Sequence, residues 1–409
     1  MKTFKIHTLG CKVNQYETQL MREQLLCAGL REIDSNIPAD IYIINTCTVT
    51  GDADRECRRF IRRSIKENPD ATIIAAGCYV EKDADIIKAI DEKIIILTNK
   101  EKKDVLKKMV PGTTFFKKSC LAPFFITHFK NRTKAFVKVQ DGCDNYCSYC
   151  KVPYVRGAPK SRGKSEIIQE VKALLKNNYK ELVITGICLG AYGKDLKENI
   201  CLKDIIGAIS ELEGDFRIRL SSIEMQDITG DLMEIIKTRN NICNHLHISL
   251  QSGDDSTLRV MNRKYISAEF IKKIKHIKKI IPGIAISTDV IVGFPSEDES
   301  AFKNTLKCIK KIKPMRTHIF SYSPREGTAA YNLKQNTDKK DIAKRYAALK
   351  RMTDKLAQSY HNKTKNIRQR VLVENARDKK SGKLCGYTDT YVKLAFDGPD
   401  AWMATLVYI

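Results

Sequence analysis

The chain has 409 residues, and its 72 Lys and Arg against 48 Asp and Glu give a formal net charge of +24. Hydrophobic residues make up 43% of it, which excludes a disordered chain and allows two or three domains. We expect a cytoplasmic protein, because no apolar run could span a membrane and no secretory signal precedes the first strand pattern. In a reducing compartment, 14 cysteines indicate metal or redox chemistry rather than disulfides. The positive charge predicts a nucleic-acid partner, although a lysine-rich solvated surface would give the same excess.

Residues 1–125 alternate short apolar strands with amphipathic helices. The predicted elements are strands at Thr3–Leu9, Ile41–Asn45, Thr72–Ala76 and Ile94–Leu97, and helices at Val13–Ala28 and Asp52–Lys66. This alternation predicts an open, parallel α/β sheet, in which ligands bind outside the carboxyl ends of the strands.

Three cysteines follow strands of this sheet within one to three residues: Cys11, Cys47 and Cys78. Each alone is equally well explained as an ordinary buried thiol. Their repeated placement favours a shared metal site, although the spacing alone leaves both interpretations open.

The predicted helix after Cys47 carries a stripe of cations. Its members recur at helical spacing on one face and include Arg58, Arg59, Arg62 and Arg63, while Cys57 and Ile61 fall on the other side. We predict that the stripe contacts an RNA backbone. The alternative is a solvated face.

Residues 126–360 repeat a strand-plus-helix unit six times. The predicted strands are Ala135–Gln140, Leu182–Gly186, Arg217–Ser222, His245–Leu250, Ile286–Val292 and His318–Tyr322. Six βα units predict a partial TIM barrel, (β/α)6, whose chemistry lies at the carboxyl ends of its strands. One of its helices, predicted over Glu297–Ile312, is expected to begin with a capping box formed by Ser296 and Glu299.

Polar and glycine residues collect at the predicted strand ends of the barrel. They are Thr185, Gly186, Ser222, Glu224, Ser249, Gln251 and Gly293. Glycines let a ligand approach the backbone, so the shared register across several strands predicts a cofactor pocket.

The loop after the first barrel strand contains Cys143, Cys147 and Cys150 in the spacing C-x₃-C-x₂-C. Closed zinc sites and most iron–sulfur clusters use four protein ligands, so three thiolates leave one metal corner open. A zinc knuckle needs a fourth ligand nearby, and the next candidate, Cys188, is distant in sequence. The spacing is similar to that of radical S-adenosylmethionine (SAM) enzymes, as is the aromatic Tyr149 before the third cysteine.

Residues 361–409 begin with basic residues, including Arg368 and Arg370, and continue as short alternating strands. This pattern predicts a small β-barrel that binds RNA. A β cap that only covers the barrel is the alternative.

With these motifs in place, the chain resembles the radical SAM methylthiotransferases, and within them the tRNA threonylcarbamoyladenosine methylthiotransferases. The resemblance covers nearly the whole length. The blocks that carry it are residues 10–17, 45–50, 77–78, 138–157, 245–253, 289–295 and 320–328, with residues 386–393 similar to the family's closing TRAM domain.

The resemblance implies two 4Fe–4S clusters and SAM as cofactors. It places the SAM cluster on Cys143, Cys147 and Cys150, and an auxiliary cluster for the transferred sulfur on Cys11, Cys47 and Cys78. Glu224 and Gln251 would be among the residues that position SAM. The implied reaction adds a methylthio group to carbon 2 of a hypermodified adenosine beside the tRNA anticodon.

The expected partners are tRNA and an electron donor such as flavodoxin or ferredoxin, with the oligomeric state undetermined. Arg156, Arg368 and Arg370 are predicted RNA contacts in addition to the helical stripe. The alternative substrates are isopentenyladenosine in tRNA and a ribosomal protein side chain. A non-enzymatic iron–sulfur or zinc RNA-binding protein is a further alternative, which gives the six-unit barrel no role.

Overall fold

The computed structural model describes residues 1–34, 37–109, 125–335 and 337–409. They form an N-terminal α/β sheet, a central partial barrel and a C-terminal antiparallel sheet, in this order along the chain. The predicted α/β class is confirmed.

The N-terminal region is a five-stranded parallel sheet in the order β2-β1-β3-β4-β5. Its strands are β1 (Thr3–Thr8), β2 (Arg31–Glu32), β3 (Ile41–Thr46), β4 (Thr72–Gly77) and β5 (Ile95–Leu97). Its helices are α1 (Lys12–Cys27), α2 (Gly51–Glu67), α3 (Ala84–Lys88) and α4 (Val105–Met109). The central strand β3 is buried along its whole length, as its continuous apolar run predicts.

The central region runs from β6 to α12. Its strands are β6 (Ala135–Lys138), β7 (Gln140–Asp141), β8 (Lys160–Ser161), β9 (Glu181–Thr185), β10 (Arg217–Leu220), β11 (Ser222–Ile223), β12 (His245–Ile248), β13 (Ala285–Val292) and β14 (Arg316–Ser321). Its helices are α5 (Val152–Arg156), α6 (Lys164–Lys176), α7 (Leu202–Ser210), α8 (Gly230–Thr238), α9 (Asp255–Val260), α10 (Ser267–Ile280), α11 (Glu299–Ile312) and α12 (Lys339–Thr364).

The barrel wall consists of two parallel sheets, β10-β9-β6 and β11-β12-β13-β14. The predicted third strand is split at Ser221 into β10 and β11, which end one sheet and begin the other. Within the described ranges β6 and β14 do not pair, so the wall is open between them. The predicted capping box of α11 is wrong: Asp298 caps this helix by accepting from Ala301 N–H at 2.7 Å.

The C-terminal region is a four-stranded antiparallel sheet in the order β17-β16-β15-β18. The strands are β15 (Arg370–Val373), β16 (Leu384–Thr388), β17 (Lys393–Phe396) and β18 (Leu406–Tyr408). Since β17 and β18 form its two edges in the part of the chain that is described, the predicted closure into a barrel is not established. None of the described helices is both long and apolar enough to cross a bilayer.

Candidate active site between two cysteine triads

The loop with Cys143, Cys147 and Cys150 leaves the end of the first barrel strand and is closed at its base by the antiparallel pair β7–β8. Inside the loop, Cys143 N–H donates to Gly157 O at 3.0 Å. Gly142, at the entry, has φ of 73°, and a Cβ there would lie 2.1 Å from Ala158 O. Only glycine fits this position, so the backbone itself shapes the loop.

The thiols of this loop lie next to donors from the barrel. Arg263 Nη1 is 3.3 Å from Cys147 Sγ, and a hydrogen bond from the Cys188 thiol lowers the pKa of Cys143. Burial raises the pKa of Cys150 to about 12. Because the thiolate is the metal-binding form, a cation or cluster must compensate for the burial of this thiol.

The other three cysteines, Cys11, Cys47 and Cys78, lie at the carboxyl edge of the N-terminal sheet. The loops touch: a Cβ on Gly10 would lie 2.7 Å from Cys47 Sγ, and one on Gly77 would lie 2.5 Å from Thr46 O. Both glycines have φ near 100°. These positions require glycine, and they bring the three strand ends together.

Two asparagines fix these loops. Asn14 Nδ2 donates to Thr46 O at 2.9 Å, and Asn45 Nδ2 donates to Asn14 O at 2.9 Å. Thr46 Oγ1 in turn donates to Ala76 O at 2.6 Å. The hydrogen bonds join helix α1 to the ends of β3 and β4, so the loop positions do not depend on the cysteine side chains.

Both triads have the donor chemistry of an iron–sulfur cluster with one open iron. Among the described residues, no three His, Cys, Asp or Glu side chains converge on a point that would hold a single metal ion. A cubane cluster does not need such convergence, since each thiolate binds a different iron. The all-cysteine donor sets therefore fit two clusters with one open iron each.

A cavity of about 220 Å³ lies between the triads. Cys78 from the N-terminal sheet and Cys150 from the barrel both line it, together with Tyr149, Gln251 and Asp289. The two domains thus place one thiol of each triad on the wall of the same cavity.

A buried charge network joins the two triads. Glu17, on α1, accepts from Lys102 at 2.6 Å, from Lys138 at 2.6 Å and from Arg156 at 3.0 Å. Arg156 also donates to Asp141 at 2.8 Å. Burial opposes ionisation of Glu17, yet Arg156 and the two lysines hold its pKa well below the usual range. The network links α1 to both ends of the Cys143 loop.

The comparisons with known proteins agree with this geometry. A family described as "Radical SAM superfamily" matches residues 137–309, and "Uncharacterized protein family UPF0004" matches residues 3–98. Threonylcarbamoyladenosine tRNA methylthiotransferase MtaB of Bacillus subtilis is 36% identical, with 100% of this chain and 93% of the relative covered. The tRNA-2-methylthio-N(6)-dimethylallyladenosine synthase of Clostridium tetani is 33% identical, with 97% and 90% covered.

The chain belongs to the radical SAM methylthiotransferase family. It is therefore an enzyme, and the cofactors of its family are 4Fe–4S clusters and SAM. The radical SAM methyltransferase TsrM from Kitasatospora setae has a related fold, with a TM-score of 0.59, 10% identity, and 81% of this chain and 77% of that chain covered.

In this methylthiotransferase, several predicted SAM-binding residues lie around the cavity and the Cys143 loop. Gln251, with φ of 68°, and Tyr149 line the cavity. Glu224 pairs with Arg263, with Nη1 to Oε1 at 3.1 Å. The same arginine donates to Ser249 O at 3.3 Å, which ties two of the predicted strand ends to the thiol of Cys147.

The remaining predicted SAM contacts have mixed outcomes. Thr185 is buried at the end of β9, and Gly186 leaves no room for a Cβ against Gln140 Oε1, which would lie at 2.9 Å. Ser222 is exposed. Gly293 N–H donates to Glu297 at 2.9 Å, and a Cβ there would strike Ile342 of α12. This glycine therefore also serves helix packing, and its contact with SAM stays a prediction.

The predicted RNA contact of Arg156 is corrected, and those of Arg368 and Arg370 stay predictions. Arg156 is not on the surface, because its side chain is only 1% exposed and is held in the buried network. Arg370 pairs with Asp215 at 2.6 Å and is 15% exposed. Arg368 is exposed, with its guanidinium 4.9 Å from the centre of the Tyr408 ring.

The stripe on α2 is mostly exposed. Arg59, Arg62 and Arg63 face solvent, whereas Arg58 is half-buried and donates to the Tyr79 hydroxyl. The RNA contact remains a prediction for the three exposed arginines, and Arg58 has a structural partner that competes with it.

Sequence patterns missed three residues of the site. Arg263 follows α9 without a motif, and Cys188 was set aside because it is distant in sequence from Cys143. Tyr391 belongs to a C-terminal block but reaches the opening of the barrel, where it lines a second cavity. Only the shared register of barrel loops could have indicated Cys188, since it follows the predicted strand that ends at Gly186.

Proposed function

We propose that this enzyme inserts a methylthio group at carbon 2 of N6-threonylcarbamoyladenosine beside the anticodon of tRNA. The observation that carries the proposal is the cavity of about 220 Å³ that has one thiol from each cysteine triad on its wall. Three relatives that the chain covers to 91–93% of their length, each named a threonylcarbamoyladenosine tRNA methylthiotransferase, support the substrate.

We assign the SAM cluster to Cys143, Cys147 and Cys150 and the auxiliary cluster to Cys11, Cys47 and Cys78. When bound, the clusters and SAM would supply the radical chemistry that removes the carbon 2 hydrogen and the methylthio group that replaces it. The loops, shaped by glycines and asparagines, bring Cys78 of one triad and Cys150 of the other to the wall of one cavity.

The other residues of the cavity orient and shield the reacting groups. Tyr149 packs edge-on against Phe294, with the ring centres 6.4 Å apart, and forms an apolar floor next to Cys150. Ile291 and Phe320 extend the apolar wall of the cavity. Gln251 and the Glu224–Arg263 pair provide polar groups for the amino and carboxylate groups of SAM.

The reaction chemistry also indicates an electron donor, a cellular location and a competing substrate. Reductive cleavage of SAM needs an external electron, so we propose flavodoxin or ferredoxin as the donor. The cytoplasm is the proposed location, because tRNA is modified there. Isopentenyladenosine in tRNA is the competing substrate, since relatives at 33% and 31% identity are named for the dimethylallyl base. A ribosomal protein substrate has no observation in its favour.

The experiment is anaerobic reconstitution of the enzyme with iron and sulfide. We expect about eight irons per chain. Replacing Cys143, Cys147 and Cys150 by Ala should remove about half of the iron and abolish SAM cleavage. Replacing Cys11, Cys47 and Cys78 should also remove about half, while SAM cleavage continues and methylthio transfer stops. Replacing the buried Cys243 and Cys308, which lie in neither triad, is the matched control and should leave iron unchanged.

Full iron content in the second triple variant would contradict the auxiliary cluster. Nucleoside analysis of tRNA from cells that lack the enzyme tests the substrate, with loss of the 2-methylthio form of threonylcarbamoyladenosine as the expected result. Loss of only the isopentenyl form would assign the competing substrate instead.

A further inference from the structure

A second cavity, of about 600 Å³, lies at the open side of the barrel between β6 and β14. Asp289 and Phe320 line both this cavity and the smaller one between the triads. A group attached to a base in the smaller cavity can therefore extend into the larger one. Residues of α1 and of the C-terminal sheet, including Gln15 and Tyr387, also line the larger cavity.

Tyr391, from the turn between β16 and β17, is surrounded by cations in this cavity. The charged groups of Lys134, Arg219 and Arg316 lie 5.2, 4.5 and 5.7 Å from the centre of its ring. Its backbone has φ of 67°, which is unfavourable for a non-glycine residue. Strain of this kind concentrates at functional sites, where the surrounding structure holds it.

The cavity has an excess of positive charge. Five cations line it, Lys12, Arg132, Lys134, Arg219 and Arg316, against two carboxylates, Asp289 and Glu374. Arg219 is neutralised by buried Glu181, at 3.0 Å. In the described part of the chain, Lys12, Lys134 and Arg316 have no carboxylate within 4.0 Å. Three cations without a carboxylate partner at one cavity indicate an anionic occupant.

A buried histidine adds a separate observation. His245 lines the cavity and is 3% exposed, and its Nε2 lies 2.9 Å from Ser287 Oγ. Its Nδ1 is buried and has no hydrogen-bond partner among the described residues. Buried polar atoms are normally paired, so this atom indicates a missing partner.

We propose that this cavity binds the carboxylate of an amino-acid substituent on the substrate adenine, with Lys134 and Arg316 as its main cationic partners and Lys12 beside them. The proposal rests on the proposed function and names the part of the substrate that is recognised. A tRNA phosphate is the other anion available. The carboxylate is favoured because the cations lie at the barrel opening, beside the cavity that would receive the base, whereas the helical stripe on α2 is out on the surface.

Such a site rejects a neutral substituent. Lys12, Lys134 and Arg316 are half-buried, so water solvates them in the empty cavity. An isopentenyl group would displace that water without supplying an anion, which leaves the cations desolvated and unpaired. The cavity would therefore separate the two adenosine substrates that relatives of this enzyme are named for.

The experiment uses the reconstituted holoenzyme and three anticodon stem-loops. The first has threonylcarbamoyladenosine, the second has its threonine carboxylate replaced by a carboxamide, and the third has isopentenyladenosine. We expect kcat/KM to fall about tenfold or more from the carboxylate to the carboxamide. Arg316→Gln and Lys134→Gln should each remove most of that preference, and Arg316→Lys should keep part of it. Arg351→Gln, an exposed arginine of α12, is the matched control and should keep the full preference.

The outcomes distinguish a failure of the proposed function from a failure of the carboxylate site. If the native enzyme methylthiolates none of the three stem-loops, the proposed function fails. If it modifies the carboxylate and carboxamide forms equally well, the function stands and the carboxylate site is overturned. If Arg316→Gln and Lys134→Gln weaken all three substrates equally and flatten the salt dependence of binding, the cations contact phosphate and the carboxylate site is likewise overturned.

Discussion

Arg156 Nε lies 3.2 Å from Cys78 Sγ, so an arginine of the radical SAM loop contacts a proposed ligand of the auxiliary cluster. The buried network around it has three cations, Arg156, Lys102 and Lys138, and two carboxylates, Glu17 and Asp141, which leaves one positive charge in excess. A thiolate at Cys78 makes the network neutral. The charge balance thus supports Cys78 as a ligand, independently of the spacing of the cysteines.

Replacing Arg156 by Met should destabilise the auxiliary cluster. The change leaves no cation beside the Cys78 sulfur and removes a partner from buried Glu17, and loss of one member of a buried pair costs about 3–5 kcal/mol. We expect roughly half of the iron to be lost on mild chelation, with SAM cleavage retained by the protein that stays folded. Iron analysis and redox titration of the remaining clusters measure this.

Arg22→Met is the matched control for Arg156. Arg22 is also a poorly exposed arginine, with its ion pair to Glu32 at 3.0 Å, and it lies on α1 in the same domain as Cys78. The Arg22→Met variant should be less stable than the native enzyme, with its iron content and reduction potentials unchanged. Equal loss of iron in both variants would reduce the role of Arg156 to general stability.

Replacing Gly142 by Ala should disrupt the Cys143 loop. The new Cβ would meet Ala158 O at 2.1 Å, and the φ of 73° is unfavourable for alanine. We expect a loss of about 2 kcal/mol or more in the free energy of unfolding, together with weak binding of the SAM cluster. Gly230→Ala is the control, since a Cβ there meets nothing within 4 Å at the start of α8. An unchanged absorption spectrum and iron content in the Gly142 variant would contradict the prediction.

The sequence was sufficient for most of the architecture. Every predicted strand of the N-terminal sheet and of the barrel is present, because buried parallel strands are continuous apolar runs bounded by glycine and polar residues. The strand ends shift by at most two residues. The β10–β11 break at Ser221 was not predicted, because a local irregularity in a strand leaves no periodic signal.

The site was predictable only as far as its ligands share a motif or a strand position. Arg156 is predicted as an RNA contact, whereas two carboxylates and a sulfur from other segments contact its buried guanidinium. Tyr391 and Arg316 come together across 75 residues at the opening of the barrel. Contacts of this kind depend on how the domains pack, which periodicity does not encode.

Replacing Arg59, Arg62 and Arg63 by Gln should weaken tRNA binding. All three are exposed on one face of α2, and a phosphate backbone along them would release condensed counterions. We expect the slope of log Kd against log salt to fall by about two to three, with SAM cleavage unchanged. The control removes equal charge from another exposed helix face, at Lys272, Lys275 and Lys279 of α10. The same change of slope in both variants would assign the stripe to general electrostatics.

The stability of the enzyme should decrease in mild acid because of His245. Burial and then the nearby Arg219 hold the pKa of this histidine well below its ordinary value of 6.5. Below that value the unfolded chain takes up a proton that the folded protein does not, so stability is full at higher pH and is lost as the pH falls. One such group lowers the free energy of unfolding by about 1.4 kcal/mol for each pH unit below its pKa in the unfolded chain.

Anaerobic urea unfolding at about pH 7.5 and about pH 5.5 measures this loss. The free energy of unfolding should differ less between the two pH values for His245→Gln than for the native enzyme. Replacing the exposed His276 of α10 by Gln should leave the native difference unchanged, and an equal difference in all three proteins would contradict the assignment to His245.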